Sequence, residues 1–172
     1  MADYLFTSER LGFRTWQEKD IEQLAPVVME FFPSLLNKLE TAAFVKRMQS
    51  QFQRTGFCYF AVDILQNQEF IGFIGISEKD FAADFTPSID IGWRLKTAAW
   101  KQGYATEGAS RCIKYAFQTL GITSIYAIAP VVNLPSEKVM IKIGMYRLKT
   151  FQHPLLNEYP HLQECVLYHI GE

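Results

Sequence analysis

Ten consecutive residues, Trp100-Lys101-Gln102-Gly103-Tyr104-Ala105-Thr106-Glu107-Gly108-Ala109, run from a basic, glycine-hinged turn straight into an amphipathic segment. Such a turn leaves the first N–H groups of a helix unpaired and convergent, and with the positive end of the helix dipole behind them they suit phosphates. Gly103 and Gly108 have the G-x-x-x-x-G spacing of a nucleoside-triphosphate loop, but Ala109 stands where that loop needs its lysine. No G-x-G-x-x-G follows a strand, which removes the dinucleotide reading. From the turn alone, an ordinary glycine turn ahead of a surface helix stays open.

The elements that must position this turn are legible from periodicity. Ala105, Ala109, Cys112, Ile113, Ala116, Phe117 and Leu120 recur at helical spacing, and Gly121 is the stop. Ser88 to Leu95 alternates, so Ile89, Ile91 and Trp93 share one sheet face and Asp90 looks the other way; this strand feeds the phosphate turn. Ser124 to Ala129 reads as a buried central strand, and Val131 to Leu134 connects it to a short helix ending at Gly144. Upstream come a strand at Leu11 to Thr15, a helix at Glu18 to Met29 stopped by Phe31-Phe32-Pro33, and a second helix capped by Thr41. Strands at Cys58 to Leu65 and Phe70 to Ile76 follow, turning at Gln66-Asn67-Gln68. Met145 to Phe151 and Cys165 to Ile170 complete an α/β (α+β) pattern: a mixed, mostly antiparallel sheet of about seven strands with helices on both faces. The acidic stretch Glu78 to Pro87 is a loop whose Phe81 and Phe85 could flank a cationic acceptor, or simply be solvated with it.

A chain of 172 residues, 49% hydrophobic and 15% aromatic, fits one domain spanning 1–172 with a core that needs no metal or staple. Formal charge is −1 and the basic residues are scattered, which argues against a nucleic-acid partner. Cys58, Cys112 and Cys165 read as reduced core residues. His153, His161 and His169 lie eight residues apart, a spacing that fits no usual metal motif, so no metal is expected. With no leader pattern and no apolar run long enough for a membrane helix, the expectation is a cytoplasmic protein with no membrane partner.

Nearly the whole chain resembles the GNAT superfamily of N-acetyltransferases, in the branch similar to the RimJ/RimL enzymes that acetylate ribosomal-protein N-termini. Ser8-Glu9-Arg10-Leu11-Gly12-Phe13-Arg14 with Glu18-Lys19-Asp20 resembles that branch's opening strand and helix. Trp100 to Thr106 is similar to the acetyl-coenzyme A pyrophosphate loop, with Gly103 and Ala105 matching and Lys101 standing where the branch more often has glycine. Asn133-Leu134-Pro135-Ser136, leading through Lys142 to Gly144, resembles the Asn-x-x-Ser element that contacts the pantetheine arm, the favoured reading over Asn133 simply capping its helix.

The resemblance implies a GNAT fold whose strand carrying Asp90 splays from Ser124 to Ala129, opening a slot lined by Trp93, Arg94 and Leu95. It implies acetyl-CoA as cofactor, coenzyme A as product and a primary amine as acceptor, either a peptide N-terminus or a small molecule. Trp93, Arg94, Leu95, Trp100, Lys101, Gln102, Gly103, Tyr104, Ala105, Thr106, Asn133, Ser136 and Lys142 are the cofactor-binding candidates. Asp90 is the candidate base, shorter than the usual Glu, and an ion pair with Arg94 is an alternative role for it. Ser136 is the candidate proton donor in place of a tyrosine, and Leu95 the favoured backbone donor to the thioester oxygen. A non-catalytic acyl-CoA-binding module or a protein-interaction domain remains the alternative, and a homodimer is left open.

Overall fold

The computed structural model describes residues 3–29 and 38–171; the expected stop at Phe31-Phe32-Pro33 lies outside them. Eight strands form one sheet in the order β1-β2-β3-β4-β5-β6-β8-β7. They are β1 (Phe6–Thr7), β2 (Leu11–Arg14), β3 (Tyr59–Ile64), β4 (Glu69–Lys79), β5 (Ser88–Leu95), β6 (Ser124–Pro130), β7 (Tyr146–Gln152) and β8 (Glu164–Gly171). The helices are α1 (Asp20–Met29), α2 (Lys38–Thr55), α3 (Tyr104–Gln118), α4 (Leu134–Lys142) and the single turn α5 (Pro160–Gln163).

The eighth strand is β1, two residues long and too short to show a period. It is held by aromatic packing: Phe6 stacks on Phe13 at 4.5 Å and on Tyr115 of α3 at 4.2 Å. Thr41 does not cap α2. The helix starts at Lys38, and the Thr41 hydroxyl is buried inside it with no hydrogen-bond partner among the described residues. β4 outruns its expected end by three residues, so Lys79 belongs to the sheet.

Helices cover both faces. Ile74 packs under α3, where a methyl on Gly108 would drive into its Cδ1, so glycine is what lets this helix lie close on the sheet. The next residue along, Phe73, points the opposite way and meets Phe44 of α2. A fully buried ion network fixes the far side of the sheet: Arg14 Nη1 donates to Asp20 at 2.7 Å and Arg14 Nε donates to Asp63 at 2.7 Å, tying β2, α1 and β3 together.

Every neighbouring pair is antiparallel except β5 and β6, which run parallel and register through one pair, Asp90 with Tyr126. Lys96 N donates to Ile71 O at 2.8 Å, which turns residue 96, and by alternation 94, 92 and 90, toward β4. The backbone groups of Ile91, Trp93 and Leu95 therefore face β6. Beyond Asp90 the two strands diverge, and both diverging ends line one cavity.

Candidate active site

The phosphate turn is built where β5 ends. Trp100 Nε1 donates to Leu95 O at 2.8 Å and Gln102 Nε2 donates to Ala98 O at 2.8 Å, folding the chain back on itself before α3. Lys101 and Gly103 both take left-handed φ, 59° and 81°. That conformation suits glycine, which is a physical reason for the branch to prefer glycine at the Lys101 position. Helix α3 has no side-chain cap, and among the described residues none accepts a hydrogen bond from the amides of Gln102 to Thr106. Lys101, Gln102 and Gly103 are exposed, Ala105 and Thr106 half-buried, and Tyr104 is buried with Arg10 over its ring at 4.5 Å.

Glu107, one turn in, faces away from the open amides. Its carboxylate accepts from Ser8 Oγ at 2.6 Å, Arg10 N at 2.8 Å and Arg10 Nε at 2.7 Å. Partial burial pulls this carboxyl up, but those hydrogen bonds and the Arg10 charge outweigh it and hold the group below the usual range. Arg10 also donates to Gln102 O at 3.0 Å, so one pair of residues clamps β2, the turn and α3.

The diverging ends of β5 and β6 line a cavity of about 630 Å3. Asp90 is buried in its wall. Tyr59 Oη donates to Asp90 Oδ1 at 2.6 Å, and Lys79 Nζ lies 3.9 Å from the same oxygen and 4.9 Å from the Tyr59 ring centroid. Burial pushes the Asp90 carboxyl above the usual carboxylate range, against the opposing pull of Lys79 and the Tyr59 hydrogen bond. Burial and the Asp90 charge together drive the Tyr59 phenol far up, so it stays a donor. Arg94 sits on the same face with its guanidinium 5.9 Å from the Phe73 ring, its pKa pushed down to about 10 by burial.

Six of the sequence candidates meet here. Trp93, Arg94, Asn133, Ser136 and Phe81 line the cavity with Asp90. Ser136 N donates to Asn133 Oδ1 at 3.3 Å, so Asn133 caps α4 while also facing the cavity. Leu95 is buried, with its carbonyl taken by Trp100. Leu95 and the turn residues Trp100 to Thr106 do not line the cavity, and two further candidates are elsewhere. Lys142 is exposed on the last turn of α4, away from the lining residues. Phe85 packs on Tyr126 and Phe151 at 5.7 and 5.1 Å, because the Asp84–Lys149 ion pair draws its loop over the sheet; only Phe81 reaches the cavity, against the His153 ring at 4.5 Å. The alternative Asp90–Arg94 ion pair is not the one formed; the ion pair of Asp90 is with Lys79.

Tyr59, Lys79, Phe44, Phe73 and His153 are site residues that spacing did not reveal. The one available signal was Tyr59, a polar-tipped ring in the apolar run from Cys58 to Val62. His153 Nδ1 accepts from Leu155 N at 3.2 Å, and burial lowers its pKa. Among the described residues no cluster of three His, Cys, Asp or Glu could hold a metal ion, and no helix is long and apolar enough to cross a membrane.

Comparison with known proteins identifies the family. The acetyltransferase (GNAT) domain matches residues 10–146, and the chain belongs to that family. The FsC-acetyl coenzyme A-N(2)-transacetylase of Aspergillus fumigatus is 36% identical over 73 residues, 42% of this chain but only 30% of that protein. A GNAT-family acetyltransferase from Bacillus anthracis is 25% identical and superposes with a TM-score of 0.77 over 96% of both chains. RimL, a ribosomal α-N-protein acetyltransferase in complex with coenzyme A, shares the fold at 15% identity, with a TM-score of 0.77 over 98% of both chains. Acetyl-CoA is the cofactor of this family. The residues present fit it: amides at the turn with no acceptor among the described residues, following a strand whose end lines the cavity.

Proposed function

We propose that the chain transfers the acetyl group of acetyl-CoA to a primary amine, a protein N-terminal α-amine or a small amine, by direct attack in a ternary complex. The observation that carries this reading is that β5 parts from its parallel neighbour β6 at Asp90, opening a cavity along the strand that leads into the open-amide turn at Gln102 to Thr106. Acetyl-CoA, when bound, supplies the activated acetyl thioester.

The amides of Gln102 to Thr106 hold the diphosphate, with the Lys101 charge beside them. The N–H groups of Trp93 and Leu95 face the strand gap and serve as donors for negative charge developing on an acyl oxygen; Trp100 holds the carbonyl of the following peptide, Leu95–Lys96. Asp90 takes the proton of the acceptor amine, directly or through a water. Both its protein partners address Oδ1, which leaves Oδ2 for that proton. Its raised pKa makes it a better base than an ordinary carboxylate. Ser136 Oγ, half-buried on the other wall of the cavity, is the proton donor to the departing thiolate.

The test is thiol release from acetyl-CoA with a panel of primary amines, with both substrates varied. A ternary complex gives intersecting double-reciprocal lines. Parallel lines, or no amine-dependent release from any acceptor, contradict the proposal.

A further inference from the structure

Resting on the reading that the acceptor amine meets Asp90 in this cavity, we infer that Lys79 is a specificity-determining residue, which turns away polycationic amines and selects an acceptor with one amine on an apolar, aromatic-sized body. A buried carboxylate walled by rings is by itself a receptor for an ammonium ion. In this cavity that place is already filled from within the chain. β4 and β5 pair Ser77 with Asp90 and Lys79 with Ser88, so Lys79 stands diagonally across from Asp90 on one face of the sheet. Its Nζ lies 3.9 Å from Asp90 Oδ1 and 4.9 Å from the centroid of the Tyr59 ring, both the charge partner and the ring face that an incoming ammonium would use.

A second cation reaching Asp90 must share one carboxylate with Lys79 and stand close to a like charge in a desolvated site. An amine that arrives neutral meets no such opposition, and it needs to be neutral to attack. An α-amine, with a pKa of about 7.7–8.0, reaches that state near neutral pH, whereas alkylamines near about 10.4 stay charged. The rest of the wall states what the amine should be attached to: Phe44, Phe73 and Phe81 with Leu155, Leu156 and Leu162 offer rings and aliphatic carbon. An aromatic or branched apolar group fills such a wall, and the charged backbone of a polyamine does not.

The experiment compares phenylalaninamide with spermidine as acceptors at saturating acetyl-CoA, for the wild type, Lys79→Met and Lys79→Gln, with melting curves confirming that each variant is folded. The wild type should use phenylalaninamide with a kcat/KM at least tenfold above that for spermidine, and both variants should narrow that ratio at least tenfold, chiefly by lowering the KM for spermidine. A wild type that prefers spermidine, or a ratio that stays put in folded variants, overturns the role of Lys79. If neither of these amines nor any other of the primary-amine panel releases thiol from protein that still binds acetyl-CoA by calorimetry, it is the acetyl-transfer reading beneath the inference that fails; if other amines react but phenylalaninamide does not, the inference fails alone.

Discussion

Asp90 is where burial, charge and chemistry meet. Replacing it by Asn keeps the shape and an acceptor for Tyr59 Oη but removes the base, and kcat/KM should fall about 10²–10⁴-fold, measured by thiol release. The same variant should be more heat-stable at neutral pH. Because burial raises the folded-state pKa of Asp90 above its unfolded value, its favourable contribution is complete only below the ordinary carboxylate range and is lost as pH rises through the folded pKa. Melting curves at neutral and acid pH should therefore show the Asp90→Asn advantage shrinking on acidification; an advantage independent of pH would deny that the carboxyl is perturbed. Tyr59→Phe removes a hydrogen bond that favours the carboxylate, so the acid limb of the kcat/KM profile should move to higher pH while much of the rate survives. Asp90 was legible because strict alternation in β5 sets it opposite Ile91. Tyr59 and Lys79 were not, since their roles depend on strand register across β3, β4 and β5, and register is fixed by pairing that no local pattern states.

The element that matters most is the turn into α3, and its two glycines do different work. Gly103 supplies a left-handed φ of 81°, and Gly103→Ala should cost about 1–2 kcal/mol by the strain of that conformation. It should also weaken acetyl-CoA binding several-fold in calorimetry, because the amides it aims are the binding groups. Gly108 is about clearance over Ile74, so Gly108→Ala should lower the melting temperature by pushing α3 off β4. The G-x-x-x-x-G spacing thus reflects one conformational and one packing demand, not a triphosphate loop. Asn133→Ala, which removes the α4 cap, should cost about 1 kcal/mol and loosen the side of the cavity that carries Ser136. Long periodic elements such as α3, α4, β5 and β6 were readable from the sequence. The start of α2 was not, because Thr41 has the chemistry of a cap and the burial of a core residue. β1 escaped because two residues carry no period, and the extension of β4 to Lys79 because Ser77, Glu78 and Lys79 read as loop residues.

At the scale of the whole molecule, a mostly antiparallel sheet contains one parallel pair, and that exception makes the site. Antiparallel neighbours zip along their length, as β6 and β8 do over seven pairs, whereas β5 and β6 meet at Asp90 and part, leaving backbone groups on both strands to serve a ligand. Two helical layers hold that opening: α3 presents amides on one side, and α2 closes the acceptor side with Phe44. Recognition of the cofactor should then come mostly from main chain at the turn. The direct measurement is calorimetric titration of the protein with acetyl-CoA and, separately, with S-acetylpantetheine, which keeps the thioester arm and lacks the diphosphate. One site per chain with acetyl-CoA bound at least a hundredfold more tightly is the predicted result, and equal affinity for the two would contradict a grip on the diphosphate at Gln102 to Thr106.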